Sequence, residues 1–319
     1  MFYKKLMTWL ILITILITIS SNFWFIFWLM MEMNLMMFIP IMKSNKINSC
    51  NAMITYFIIQ SFSSTLFFLS STLSFLNESI MFIYVMNISI LIKLALVPFH
   101  FWLTMISENL DSLSLFLLLT VQKIIPLFIL LSIKSNLILT FGLISSIFGS
   151  TMALNSKFLK KILIFSSISH LGWLVILIYS ESNFWISYLL IYSLIIYKIL
   201  KLINKNNLTL ISNFFFKKML LSEKISFVCL MMSLSGMPPF MGFFIKLMAI
   251  MIIVKITKII MIILVISSLM NIYFYMRLII PTLISFNQFL KNMKSAKMFK
   301  SSMINMNVIF TIILFNLMI

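Results

Sequence analysis

Apolar stretches about twenty residues long, separated by short polar loops, run through almost the whole of this chain. A helix that crosses a bilayer needs about 20 mostly apolar residues, within a range of about 17–25. That length marks eleven spans, at roughly 5–20, 22–42, 53–76, 79–103, 111–133, 136–154, 161–180, 183–203, 220–254, 258–281 and 303–319. Composition agrees: 62% of the 319 residues are hydrophobic and 9% are charged, against about 25% charged in soluble domains. A water-soluble globular protein is excluded, and so is a disordered chain, which needs low hydrophobicity. The expected fold is all-α and polytopic, a single transmembrane domain over 1–319 with no soluble domain.

Two spans contain helix breakers. The ninth is too long for one straight helix and holds Gly236-Met237-Pro238-Pro239, which must interrupt its hydrogen-bond ladder. The fourth holds Pro98, five residues after Lys93. Non-helical backbone at membrane depth survives only where protein or water satisfies it. Paired interrupted helices often mark the working site of a transporter. At the start, residues 6–31 read either as parts of two helices or as one tilted helix.

The charges favour two. With eleven spans, Lys4, Lys5, Lys43, Lys46, Lys157, Lys160, Lys161, Lys201, Lys205, Lys217, Lys218, Lys224, Lys291, Lys294, Lys297 and Lys300 share one side. Lys134, Lys255 and Lys258 lie on the other, a split of 16 to 3. An excess of Lys and Arg marks the cytoplasmic side or its organelle equivalent. The N-terminus is therefore expected inside and the C-terminus outside. The net charge of +18 is read as topology, not as a nucleic-acid footprint, because the basic residues sit in short loops. Lys5 and the apolar run after it look like a signal peptide without a small-residue cleavage site, so a retained helix is expected.

Other chemistry is absent from the sequence. Cys50 and Cys229 have no paired spacing, which argues against a disulfide framework or a thiol metal site. No glycine-rich nucleotide fingerprint occurs, and no cysteine cluster could hold iron–sulfur. Lysine outnumbers arginine 23 to 1, with only five glycines and five alanines. That balance fits drift in an A/T-rich genome, such as many organelle genomes.

Most charges sit at loops or span ends, and four do not: Glu32, Lys93, Lys123 and Lys246. A charged side chain at a helix centre costs roughly 2.5–3.5 kcal/mol on insertion scales, so each needs a reason. One reason is structural ion pairing, though buried pairs are not reliably stabilising. The other is a proton or cation path. A desolvated lysine releases its proton more readily, and an adjacent carboxylate holds it. A Glu–Lys pair of variable separation is then a switch, and lysines with water between them pass a proton along. His100 and His170 suit either packing or relay roles. Lys198 and Arg277 lie near span ends, where snorkelling suffices. Glu78, Glu108, Asp111, Glu181 and Glu223 read as solvated.

Several segments resemble one family. Met31-Glu32-Met33-Asn34 with Phe38-Ile39-Pro40 is similar to the EMN…FIP segment of subunit 2 of mitochondrial NADH:ubiquinone oxidoreductase, respiratory complex I. Lys93 through Pro98-Phe99-His100-Phe101-Trp102 resembles its KxxxxPFHFW helix, and Gln122-Lys123-Ile124-Ile125-Pro126 its QKxAP. Leu159-Lys160-Lys161 with Ser166-Ser167-Ile168-Ser169-His170-Leu171-Gly172-Trp173 resembles LRK…SSIxHxGW. Ser233 to Phe240 and Gly242 to Lys246 resemble SLGGLPPxxGFxPKW, and Asn271 to Arg277 the helix that follows. The motifs occur in family order over 31–277. Val121, Met237, Ile245 and Leu247 depart from the family's usual tryptophan, leucine, proline and tryptophan.

The resemblance implies an antiporter-like membrane-arm subunit of the proton-translocating NADH:ubiquinone reductase in the mitochondrial inner membrane, with inside meaning the matrix and outside the intermembrane space. It implies proton translocation driven by quinone reduction elsewhere. This chain would bind no cofactor; FMN, iron–sulfur clusters, NADH and ubiquinone would belong to other subunits. Its partners would be neighbouring antiporter-like subunits and inner-membrane lipids. Carried over by motif, Glu32 and Lys93 would form the coupling ion pair, Lys123 the central relay and Lys246 the terminal donor or acceptor, with His170 a candidate relay. A stand-alone cation/proton antiporter and a purely structural arm subunit are the rival readings.

Overall fold

The fold is known from a computed structural model. It describes residues 2–44, 48–76, 79–133, 135–210, 221–255 and 257–292, without side-chain detail at 48, 221 and 281–292. The expected span 303–319 lies outside the described residues, as do Lys46, Glu78, Lys134, Lys217, Lys218, Lys294, Lys297, Lys300 and the side chain of Lys291.

Among the described residues the chain is helical, apart from an isolated bridge between Phe158 and Leu210. The helices are α1 Phe2–Ser20, α2 Trp24–Met42, α3 Asn48–Leu76, α4 Ile80–Leu94, α5 Phe101–Ser107, α6 Ser112–Leu119 and α7 Ile124–Ser132. They continue with α8 Asn136–Asn155, α9 Leu159–Tyr179, α10 Phe184–Lys205, α11 Leu221–Ser235, α12 Met241–Ile253 and α13 Lys258–Asn292. A 3₁₀ turn, Val121–Lys123, joins α6 to α7. Eight segments among these residues are long and apolar enough to cross a membrane, counting Ser112–Ser132 as one. At 15 residues, α4 spans only about 22 Å, short of a hydrocarbon core about 30 Å thick. The 13 residues of α12 span still less.

The start of the chain resolves into two helices, with Ser20 ending α1 and Trp24 opening α2. Lys4 Nζ donates to Lys43 O at 2.8 Å, so the beginning of α1 lies against the end of α2. The single tilted helix is thereby excluded, and these two basic residues occupy the same end of the hairpin.

The described residues divide into two compact units, those within 1–148 and 167–182 and those within 149–166 and 183–292. In the first, α2 packs between α1 and α3, and α3 also packs on α4 and α5. Its core includes Phe38, Phe67 and Trp173. Gly172 allows a close approach of α9 to α8, because a Cβ there would sit 2.6 Å from Gly142 O and 2.9 Å from Ser146 N. In the second, α11 packs on α10 and α13, and α12 meets α10, α11 and α13. Gly242 brings α12 onto α11 so closely that a Cβ would lie 1.7 Å from Ser233 O.

The backbone changes course near Lys93, Lys123 and the end of the Lys246 side chain. α4 ends one residue after Lys93, where Ala95 takes a left-handed conformation at φ 58°. Ala95 N donates to Ile92 O and Leu96 N to Leu91 O, the two reversed bonds that close a helix C-terminus of this kind. Trp102 Nε1 adds a second donor to Ile92 O at 3.1 Å. At Thr120 the backbone leaves the helical region (φ −125°, ψ −74°) and enters the 3₁₀ turn that carries Lys123. Sequence reading did not anticipate this turn, although Pro126 was its signal. Proline has no N–H for the carbonyl of Gln122, four residues earlier, so the α-helical ladder cannot run through this point. α11 ends at Ser235, before Gly236 at φ 81°.

Candidate functional site: buried lysines and a shared cavity

Lys93, Lys123 and Lys246 are buried, at 8%, 5% and 5% exposure. Glu32 is half-buried on α2. His170 is buried on α9. Glu32, Lys93, Lys123 and His170 belong to the first unit, and Lys246 to the second.

α3 holds Glu32 and Lys93. Ser64 Oγ donates to Glu32 Oε1. One turn earlier, Gln60 O accepts from Lys93 Nζ at 3.2 Å. Among the described residues no ion pair joins Glu32 to Lys93 directly. Each of the two groups therefore has its own partner on α3.

Lys93 and Lys123 line one cavity of about 30 Å³. A water needs roughly 10–15 Å³ by this measure, so the cavity has room for about two. Its polar wall is Asn34, Tyr56, Gln60 and Gln122. Asn34 and Gln122 form a reciprocal amide pair: Asn34 Nδ2 donates to Gln122 Oε1 at 2.8 Å, and Gln122 Nε2 to Asn34 Oδ1 at 3.0 Å. Tyr56 Oη approaches the same Oε1 at 3.5 Å. The Tyr56 ring is wedged between Phe38 and Trp102, with centroids 5.2 and 5.9 Å away. No protein partner is found for Lys123 Nζ among the described residues. A buried ammonium beside a cavity of this size and polarity is placed to be solvated by water.

Lys246 is arranged differently. Side chains on a helix lean back toward its N-terminus, so from α12 the Lys246 chain reaches the end of α11. There Nζ donates to Ser235 O at 2.8 Å. The last carbonyls of a helix lack intrahelical partners and carry the negative end of its dipole, which suits a cation. Gly236 makes room, because a Cβ there would lie 2.9 Å from Lys246 Cδ and 3.1 Å from Nζ.

The structure thus brings Lys93 and Lys123 to one cavity and gives Glu32 and Lys93 partners on the same helix, α3. His170 is not among the residues lining that cavity. His100 is buried against Phe101 and Phe148. Glu223 corrects the expectation of a solvated carboxylate: it is 9% exposed and pairs with Lys205 at 2.6 Å. Asp111 lies 4.0 Å from Lys4 at the surface. Gln60, Ser64, Tyr56, Asn34 and Gln122 had not been singled out for function. The one-turn spacing of Gln60 and Ser64 within an apolar span was the available signal.

A family model described as NADH:quinone oxidoreductase/Mrp antiporter, TM, matches residues 21–271. NADH-ubiquinone oxidoreductase chain 2 of Rhipicephalus sanguineus is 49% identical over 316 residues, covering 98% of this chain and 99% of that protein. The chain belongs to the NADH-ubiquinone oxidoreductase chain 2 family. Among solved structures, a chain of respiratory complex I from Thermus thermophilus with bound aureothin matches with a TM-score of 0.80 at 18% identity, covering 88% of this chain and 71% of that one. A chain of the Mrp complex from Dietzia sp. DQ12-45-1b matches with a TM-score of 0.75 at 15% identity, over 85% of this chain and 59% of that one. At these identities the likeness is one of fold. The region matched by the family model contains Glu32, Lys93, Lys123, His170 and Lys246.

Proposed function

We infer that this chain is a core membrane-arm subunit of NADH:ubiquinone oxidoreductase, and that it provides one proton path coupled to electron transfer from NADH to ubiquinone. It works as a multi-pass protein of the mitochondrial inner membrane, among the other membrane-arm subunits, neighbouring antiporter-like ones included, and inner-membrane lipids. The chain acts as one antiporter-like domain, a reading supported by the single family match over 21–271. Eleven crossings place the N-terminus in the matrix and the C-terminus in the intermembrane space, supported by the 16-to-3 lysine split. Two of the crossings are interrupted, α4 with α5 and α11 with α12, supported by the shortness of α4 and α12. FMN, iron–sulfur clusters, NADH and ubiquinone are assigned to other subunits.

The observation that carries the proton path is the cavity shared by Lys93 and Lys123. A change in charge at Glu32 alters how firmly Lys93 holds its proton. Lys93 and Lys123 then exchange a proton through water in the cavity, with no rearrangement of the helices. His170 is assigned the relay onward, and Lys246 the terminal donor or acceptor. Bonded to Ser235 O, the protonated Lys246 is stabilised by a helix end, and loss of its proton removes that attraction.

Glu32→Gln and Lys246→Met in the assembled complex test these assignments. Both are expected to assemble, co-migrate on native electrophoresis with NADH dehydrogenase activity, and turn over more slowly with fewer protons moved. Unchanged turnover and proton stoichiometry would remove these residues from the path.

A further inference from the structure

The three elements that meet at the cavity are tied together by groups that carry no charge. Gln122 immediately precedes Lys123 in the 3₁₀ turn. Its amide is bound at both ends by Asn34 of α2, two residues beyond Glu32. Tyr56 of α3, one turn before Gln60, faces the same Gln122 oxygen. The turn itself is weakly determined locally: 3₁₀ hydrogen bonds have poorer geometry than α-helical ones, and Pro126 has already removed a ladder bond. Its orientation must come from tertiary contacts, and the reciprocal amide pair is the strongest polar one it makes. Each amide also keeps one N–H beyond those the pair uses, and Asn34 Oδ1 one further lone pair, while Tyr56 faces the second lone pair of Gln122 Oε1. These fixed dipoles border the space between the two lysines.

We propose that Asn34 and Gln122 are positioning residues of the proton path, their amide pair orienting the turn so that Lys123 Nζ faces the cavity it shares with Lys93. The proposal rests on the reading of Lys93 and Lys123 as members of that path. The amides take up and release no proton. They hold the exchange distance and order the water between the lysines. A pair with the same total reach but exchanged chain lengths would serve equally, whereas a mismatched pair would let the turn rotate.

The experiment compares Asn34→Gln, Gln122→Asn and the double exchange in the assembled complex, with Lys123→Met as the reference for the path. The single changes keep an amide at each position, and assembly is expected at the parent level. Each single variant should lower kcat at least fivefold with the KM for quinone unchanged. The double exchange should recover to within twofold of the parent. Single variants at parental turnover beside an impaired Lys123→Met would overturn the positioning role and leave the path standing. A Lys123→Met complex at parental turnover would instead overturn the path. Assembly losses in the single variants that match their turnover losses, or a double exchange no better than either single, would reduce the pair to a scaffold contact and overturn the proposal.

Discussion

Gln60 and Ser64 lie one turn apart on α3 and hold opposite charges: Gln60 O accepts from Lys93 Nζ, and Ser64 Oγ donates to Glu32 Oε1. In an α-helix the carbonyl of residue i lies against residue i+4, so one short stretch of α3 carries the partners of both Glu32 and Lys93. Each of the two groups meets a neutral partner on α3 and not the other directly.

Ser64→Ala is expected to lower turnover about tenfold while the complex assembles normally, and Ser64→Thr to restore most of it. A hydrogen bond to a charged group contributes about 1.5–3 kcal/mol, and a tenfold rate change corresponds to about 1.4 kcal/mol. Steady-state turnover of the purified complex, with proton uptake measured in parallel, checks both variants.

Gly236→Ala is expected to impair function more than assembly. The left-handed conformation at φ 81° costs an alanine about 1–2 kcal/mol. Its Cβ would also press on Lys246 Cδ and push Nζ away from Ser235 O. A loss of turnover of fivefold or more is expected, with the complex present at half the parental amount or better on native electrophoresis.

Gly242→Ala should do the reverse. Its Cβ would fall 1.7 Å from the Ser233 carbonyl oxygen, backbone that cannot swing aside. Overpacking typically costs about 1–3 kcal/mol, and this contact belongs at or above the top of that range. The expected result is a severalfold loss of assembled complex, quantified on native gels, with near-parental turnover per complex that survives.

Glu223→Gln serves as the negative control. Glu223 pairs with Lys205 at 2.6 Å, but the Lys205 side chain is 64% exposed. Pairs open to solvent contribute about 0–1 kcal/mol. Turnover is expected to stay within twofold of the parent.

Much of this was legible in the sequence, for reasons that differ by residue. A lysine in an apolar span stands out whatever the tertiary structure, so Lys93, Lys123 and Lys246 were visible at once. Gly236 marks a helix end through local backbone chemistry alone, and α11 ends beside it, whereas α4 ends at Leu94, four residues before Pro98. The 3₁₀ turn at Lys123 was missed because Pro126 sits in a strongly apolar run that otherwise reads as uninterrupted helix. The partners of the charges were missed for another reason: Gln60 lies 33 residues from Lys93, and Asn34 lies 88 from Gln122. No local pattern encodes such pairings. Glu223 was misjudged because its burial is set by packing, and a charge near a helix start reads as exposed by default.

The most direct measurement is proton translocation and NADH:ubiquinone turnover in the assembled complex carrying Lys123→Met, a substitution close in size that removes the charge. A shared route from Lys93 to Lys123 requires normal assembly, a turnover loss of tenfold or more, and a matching fall in proton flux. Parental turnover with unchanged protons per NADH would contradict it and leave the cavity between the two lysines a feature of packing.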